Sequence, residues 1–137
     1  MTAEAVKNSL SQAYWITGEI ETLREARRQA YDYATRVTAS FGTGRQRSPD
    51  PHRFDRMAEL DGLIGQKVDE LTAAKTAIIN TVYSLDDPRQ RTVLIEHYVT
   101  GTCFEDVASK MGYEVRQIFR IHRAALAELA ATMTEEM

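Results

Sequence analysis

Cysteine is almost absent from these 137 residues, and the single Cys103 has no partner for an internal disulfide, a usage that fits a reducing cytoplasm. Long apolar runs are absent too, so neither a transmembrane nor a secretory segment is expected. There is no excess of positive charge. Seventeen Lys and Arg stand against 20 Asp and Glu, a formal net charge of −3. That balance excludes a binder that coats nucleic acid without regard to sequence, but it leaves room for arginines gathered on one face. The three histidines, His52, His97 and His122, are far apart, and neither HExxH nor CxxC occurs, so metal-ligand spacing is missing. No phosphate-cradling glycine loop occurs either: Gly42-Thr43-Gly44-Arg45 reads as a turn that contains glycines. The chain is therefore not expected to be an enzyme, nor to hold a metal or cofactor.

What remains is a helix-forming sequence, 43% hydrophobic and 27% charged. From about Ala3 to Phe41 no proline intervenes. Two ladders spaced by seven appear there: Ile16, Leu23, Ala30, Val37, and Ala13, Ile20, Arg27, Ala34, Phe41. From about Arg53 to Leu85 the theme repeats with Met57, Ile64, Leu71, Ile78 and Leu85. Gly42 to His52, with two glycines, two prolines and two arginines, cannot continue a helix. Residues 1–86 thus predict an antiparallel, coiled-coil-like hairpin, with each helix about 45 to 55 Å long. Its core is narrow, because Arg27, Lys67 and Lys75 interrupt the seams. A second copy is expected to complete it through Ile16, Ile20, Leu23, Ile64, Leu71 and Ile78, giving a homodimer or higher oligomer. The alternative is that the hairpin packs on its own C-terminal domain.

Residues 87–137 have different punctuation. Asp86-Asp87-Pro88 starts a helix, with proline suited to its first turn. An apolar-periodic segment (Val93, Leu94, Tyr98) stops at Gly101, and a second (Phe104, Val107, Ala108, Met111) stops at Gly112. A third begins at once and runs past Leu126. Two helices joined through a glycine-containing turn of three or four residues are the signature of a helix-turn-helix. At 100° per residue, Arg116, Arg120 and Arg123 of the third segment fall on one line, while Ile118, Ile121, Ala125 and Leu129 fall on the far side. Arginine suits an outward stripe that meets DNA, because its planar fork bonds two acceptors of a guanine edge or grips a phosphate. His122 falls beside the apolar face, where bonding to a neighbour is expected. Cys103 reads as a small buried residue at a helix start. Glu19, Glu21, Glu25, Glu59, Asp61 and Glu70 read as solvated helix charges, and Tyr14, Trp15, Tyr31 and Tyr33 as packing residues.

The pattern Gly101, Phe104, Glu105, Val107, Ala108, Gly112, Ile118, Ile121, Ala125, Leu126 and Leu129 resembles the fourth conserved region of bacterial sigma factors, which reads a promoter element. Gly112-Tyr113, Arg116, Ile118, Phe119, Arg120, His122 and Ala125-Leu126 resemble more closely a family of small phage and prophage proteins that includes the ArpU- and RinA-type late-gene activators. Its members also carry a long helical N-terminal half with a polar loop. Two departures stand out. Sigma-like motifs place Ser or Thr as caps of the second and third helices, where this chain has Cys103 and Glu114. Thr102 with Glu105 is expected to form a capping box one residue earlier. Glu114 sits where phosphates would approach and would repel them, although a carboxylate can also accept from a cytosine amino group. Carried over by position, the base-facing residues are Val115, Arg116 and Arg120, flanked by Gln117 and Arg123. For Val115 the contact left is apolar, with a thymine methyl.

The resemblance implies an all-α, cytoplasmic, sequence-specific binder of double-stranded DNA: a transcriptional regulator of phage or prophage type, controlling late genes. Two other readings stay open. One is a small terminase-like subunit that marks DNA for packaging. The other is a module without a DNA role, whose arginine face binds an acidic protein such as RNA polymerase or a sigma factor.

Overall fold

Side chains cap the starts of α1 and α4 and a glycine closes α5. The computed structural model describes residues 2–40 and 51–135. All regular structure among them is helical, in six segments: α1 (Ala3–Leu10), α2 (Gln12–Ser40), α3 (Asp55–Val82), α4 (Pro88–Tyr98), α5 (Phe104–Met111) and α6 (Val115–Glu135). Thr2 opens α1 by accepting the Ala5 N–H at 3.1 Å, which meets one of the donors a helix start leaves free. Asp87 opens α4 in the same way, accepting the Arg89 N–H at 2.9 Å, with Pro88 in the first turn. Most of the expected loop, Gly42 to Asp50, lies outside the described residues.

The expected first helix is bent rather than continuous. At Ser11 the side-chain hydroxyl donates to the Lys7 carbonyl at 2.8 Å, and helix geometry is interrupted before it resumes at Gln12. Serine bonding back to the preceding turn competes with the helical ladder and bends it. The bend lies within one core, which takes residues from both sides of it. Val6 and Leu10 of α1 join one core with Ala13, Ile78, Val82, Leu85, Leu94, Tyr98, Ala125, Leu126 and Leu129.

The chain divides into two compact units, residues 1–15 with 71–137, and residues 16–70. The division expected at 86/87 does not coincide with this one. The reason is the shared core just described: a short α4, α5 and α6 bury more apolar surface by recruiting α1 and the end of α3 than they could alone. Ile78 is 5% exposed inside that core and Leu71 packs against it. Ile78 therefore leaves almost no surface for a second copy, contrary to its expected role in assembly.

Among the described residues of 16–70 the buried side chains are small or few: Ile20, Ala30, Ala34 and Leu60. Ile16, Leu23 and Ile64 are half-buried. Ile20, another expected assembly residue, is 4% exposed within the single chain. Two of the three charges expected to interrupt the seams, Arg27 and Lys67, are paired. Arg27 of α2 bonds Asp61 of α3, and Lys67 of α3 lies 3.0 Å from Glu19 of α2 and 3.0 Å from Glu70. Glu19, then Glu70, hold the Lys67 ammonium above its ordinary range. Exposed pairs of this kind add little stability, but they restrict which residues of the two helices face each other.

Candidate nucleic-acid interface

The turn from α4 into α5 is set by Gly101, whose φ of 81° lies in the left-handed region that a side chain disfavours. Cys103 occupies the N-cap of α5 and makes no side-chain capping bond. It is exposed, which corrects the expectation of a buried residue. The expected Thr102–Glu105 capping box is not formed. Thr102 Oγ1 instead donates to Glu96 Oε2 at 3.0 Å, and the same carboxylate takes Lys110 Nζ at 3.1 Å. Lys110, then Thr102, hold the Glu96 carboxyl below its ordinary range. The hydroxyl that could have capped α5 thus ties it to α4.

Gly112 ends α5 at a φ of 72°. The Tyr113 N–H reaches the Ala108 carbonyl at 2.9 Å and the Gly112 N–H reaches Ser109 at 3.4 Å, the paired closure of a left-handed glycine cap. Three residues, Gly112, Tyr113 and Glu114, connect α5 to α6. The Glu114 carbonyl accepts the first bonds of α6, from Gln117 N–H at 3.0 Å and Ile118 N–H at 3.3 Å. In return Gln117 Oε1 accepts the Glu114 N–H at 3.1 Å. This is the N3-to-N-cap half of a capping box.

From that start the helical period separates the faces of α6. Ile118, Ala125 and Leu129 are 0% exposed, while Arg116, Arg120 and Arg123 all point to solvent. Arg116, Gln117 and Arg120 line, with Gly112, Tyr113 and Glu114, an open cleft of about 660 Å³. None of the three arginines has an ion-pair partner among the described residues. Unpaired guanidinium groups keep all their donors for an external acceptor.

Behind this face an aromatic cluster fixes the rotation of α6. Tyr98 Oη and His122 Nε2 share a hydrogen bond of 2.6 Å between α4 and α6. His97 stacks on Phe104 with centroids 3.9 Å apart, and its Nδ1 lies 2.9 Å from the Thr102 carbonyl oxygen. Phe104 in turn meets His122 at 4.9 Å and Phe119 at 5.2 Å. Burial, helped by His97 and Lys7, pushes the His122 imidazole down to about 4, and burial with Glu4 pushes the Tyr98 hydroxyl up to about 12. Both groups are therefore neutral near pH 7, and the bond between them carries no net charge into the core.

Of the residues expected to face bases, Arg116, Gln117 and Arg120 come together at the cleft. Arg123 is exposed but does not line it. Val115 departs from expectation. It is half-buried and packs on the small core of Val93, Val107, Ala108 and Ile118, which takes the apolar surface a thymine methyl would have touched. One residue was missed. Arg89, at the start of α4, pairs with Asp87 at 3.5 Å, and the neighbouring Tyr113 and Asp87 hold its guanidinium above the ordinary range. No periodicity links Arg89 to Tyr113, so only the fold brings this fourth arginine beside the turn.

Among the described residues no group of three His, Cys, Asp or Glu could hold a metal ion, and no helix is long and apolar enough to cross a membrane. Comparison with protein-family models, with curated proteins and with solved structures finds no match to the chain.

Proposed function

We propose that the chain is a sequence-specific binder of double-stranded DNA, acting as a transcriptional regulator of phage or prophage type in the control of late genes. In this reading α5 and α6 form a sigma-like helix-turn-helix with α6 as the reading helix. The observation that carries it is the face of α6: three solvent-directed, unpaired arginines on a helix held by a three-residue turn, opposite a fully buried apolar face. A major groove accepts a helix of this width, and its guanine edges and phosphates need the donors that arginine supplies. Residues 16–70 serve as an antiparallel helical arm. The pairs Arg27–Asp61 and Glu19–Lys67 support that direction, since the later residue on α2 meets the earlier one on α3. Half-buried Ile16, Leu23 and Ile64 are the surface on which a second copy would close, giving two readers related by a two-fold axis.

The test is selection of bound duplexes from random DNA, followed by titration of the selected site. Arg120→Ala or Arg116→Ala should weaken specific binding by about 1 to 3 kcal/mol with the fold unchanged. Equal affinity of variant and parent would remove α6 from the reading role. A second reading, an interaction module that binds RNA polymerase or a sigma factor and not DNA, draws on Glu114, an exposed carboxylate lining the cleft where phosphate would approach. Binding to polymerase with no binding to any duplex would select it.

A further inference from the structure

The cleft on α6 differs from a generic basic surface in the direction of its hydrogen bonds. Gln117 decides this. A glutamine amide has one carbonyl acceptor and two N–H donors, and its usual base partner in the major groove is adenine, which needs both at once, the oxygen for N6–H and the nitrogen for N7. Here Oε1 is turned back to the Glu114 N–H at 3.1 Å. A backbone N–H can be met only by the oxygen, so the orientation of the amide follows from the contact itself. Oε1 keeps a second lone pair, but the amide is held by its oxygen end, which breaks the paired O-and-N contact that adenine takes and leaves the –NH2 group as the freer end for a ligand. Its neighbours in the cleft are of the same kind. Arg116 and Arg120 have donors only, and Tyr113 adds an O–H that can give. Glu114 is the one lining side chain that can only accept once ionised.

We infer that this surface is a donor array reading acceptor edges of DNA, and that Gln117 is a specificity-determining residue committed by its cap to guanine or thymine rather than adenine. The inference rests on the DNA-binding reading above and deepens it. Guanine offers O6 and N7 and thymine offers O4, all acceptors, whereas adenine sets its N6 amino donor beside its one acceptor, N7, and so opposes an array of donors. Cytosine offers an amino group, which meets Gln117 donor to donor. Leaving α6 uncapped to free Oε1 for adenine would expose an orphan N–H at the helix start, which opposes the switch.

The experiment is sequence selection with the full chain and with Gln117→Glu, scored base by base. A glutamate at this third helical position keeps the bond to the Glu114 N–H, as in an ordinary capping box, but has no donor to offer. Urea unfolding of the variant, at a midpoint no lower than the parent's, verifies that the cap is kept. The parent is expected to select guanine or thymine at one position where Gln117→Glu loses that preference about five- to tenfold or turns to cytosine. Adenine at that position in the parent would overturn the inference while leaving DNA binding intact, and so would identical preferences in parent and variant. Failure of the parent to enrich any sequence would overturn the DNA reading itself, and the inference with it.

Discussion

Acidification offers a direct test of the aromatic cluster, because His122 cannot accept a proton without breaking the neutral arrangement around it. Its folded value of about 4 lies below the ordinary 6.5, so in that window the unfolded chain binds the proton more tightly. The contribution is therefore fully present above about pH 6.5 and is lost as the pH falls toward 4. Carried in full, that separation would cost about 2 kcal/mol between pH 7 and pH 5. His122 is only half-buried, and solvent screening brings the expected loss to about 1 kcal/mol. Other ionisable groups respond over the same pH range, so the measurement must be a difference. Urea unfolding followed by the helical signal at the two pH values, for the parent and for His122→Gln, isolates the group. Glutamine can still bond the Tyr98 hydroxyl but does not titrate. The parent should lose about 1 kcal/mol more than the variant on going from pH 7 to pH 5. Equal losses would refute the argument that burial holds this imidazole neutral.

Leu129→Ala, at a site 0% exposed in the core shared by α1, α4 and α6, should cost about 2 to 5 kcal/mol, read as a lower urea midpoint. Gly112→Ala should cost about 1 kcal/mol through its φ of 72° alone, because an added Cβ there meets nothing within 4 Å; a neutral result would mean that the turn relaxes. Glu114→Ser should strengthen binding to random duplex DNA, since the lost carboxylate lines the same cleft as Arg116 and Arg120. That gain should shrink as salt rises and screens the repulsion, and an unchanged affinity at low salt would mean that this helix end does not approach DNA.

The helical class and the faces of α6 were legible because both rest on local periodicity. Spacing alone put Ile118, Ala125 and Leu129 on one side and Arg116, Arg120 and Arg123 on the other, and the positive-φ glycines fall at Gly101 and Gly112, where the apolar segments stop. What spacing could not show was which apolar faces meet. The heptad ladder running through Ala13 and Ile20 looks uniform in sequence, yet Ala13 belongs to the core that contains Leu126 and Leu129, while Ile20 lies in the other unit. Capping was misread for a related reason. Thr102 has the right chemistry to cap α5, but the carboxylate of Glu96, six residues earlier and also bonded by Lys110, takes its hydroxyl. Val115 shows the same limit: a residue at the edge of two faces is assigned by the shape of the neighbouring core, and here Val93 and Val107 claim it.

The placement of α1 has a consequence for the order in which the molecule assembles. Val6 and Leu10 meet Leu126 and Leu129 across nearly the whole length of the chain, with the residues of the other unit strung between them. Closing a loop of that length costs about 4 kcal/mol in chain entropy before any contact repays it. During synthesis the apolar stripe of α1 emerges first and its partner on α6 much later, so the segment 16–70 can pair its helices while α1 still waits. Folding should therefore be biphasic, with residues 16–70 pairing quickly through contacts between helices near in sequence, and α6 locking last, when α1 docks. A chain stalled before α6 would carry a helical arm and an uncovered Val6–Leu10 stripe, the species most prone to aggregate.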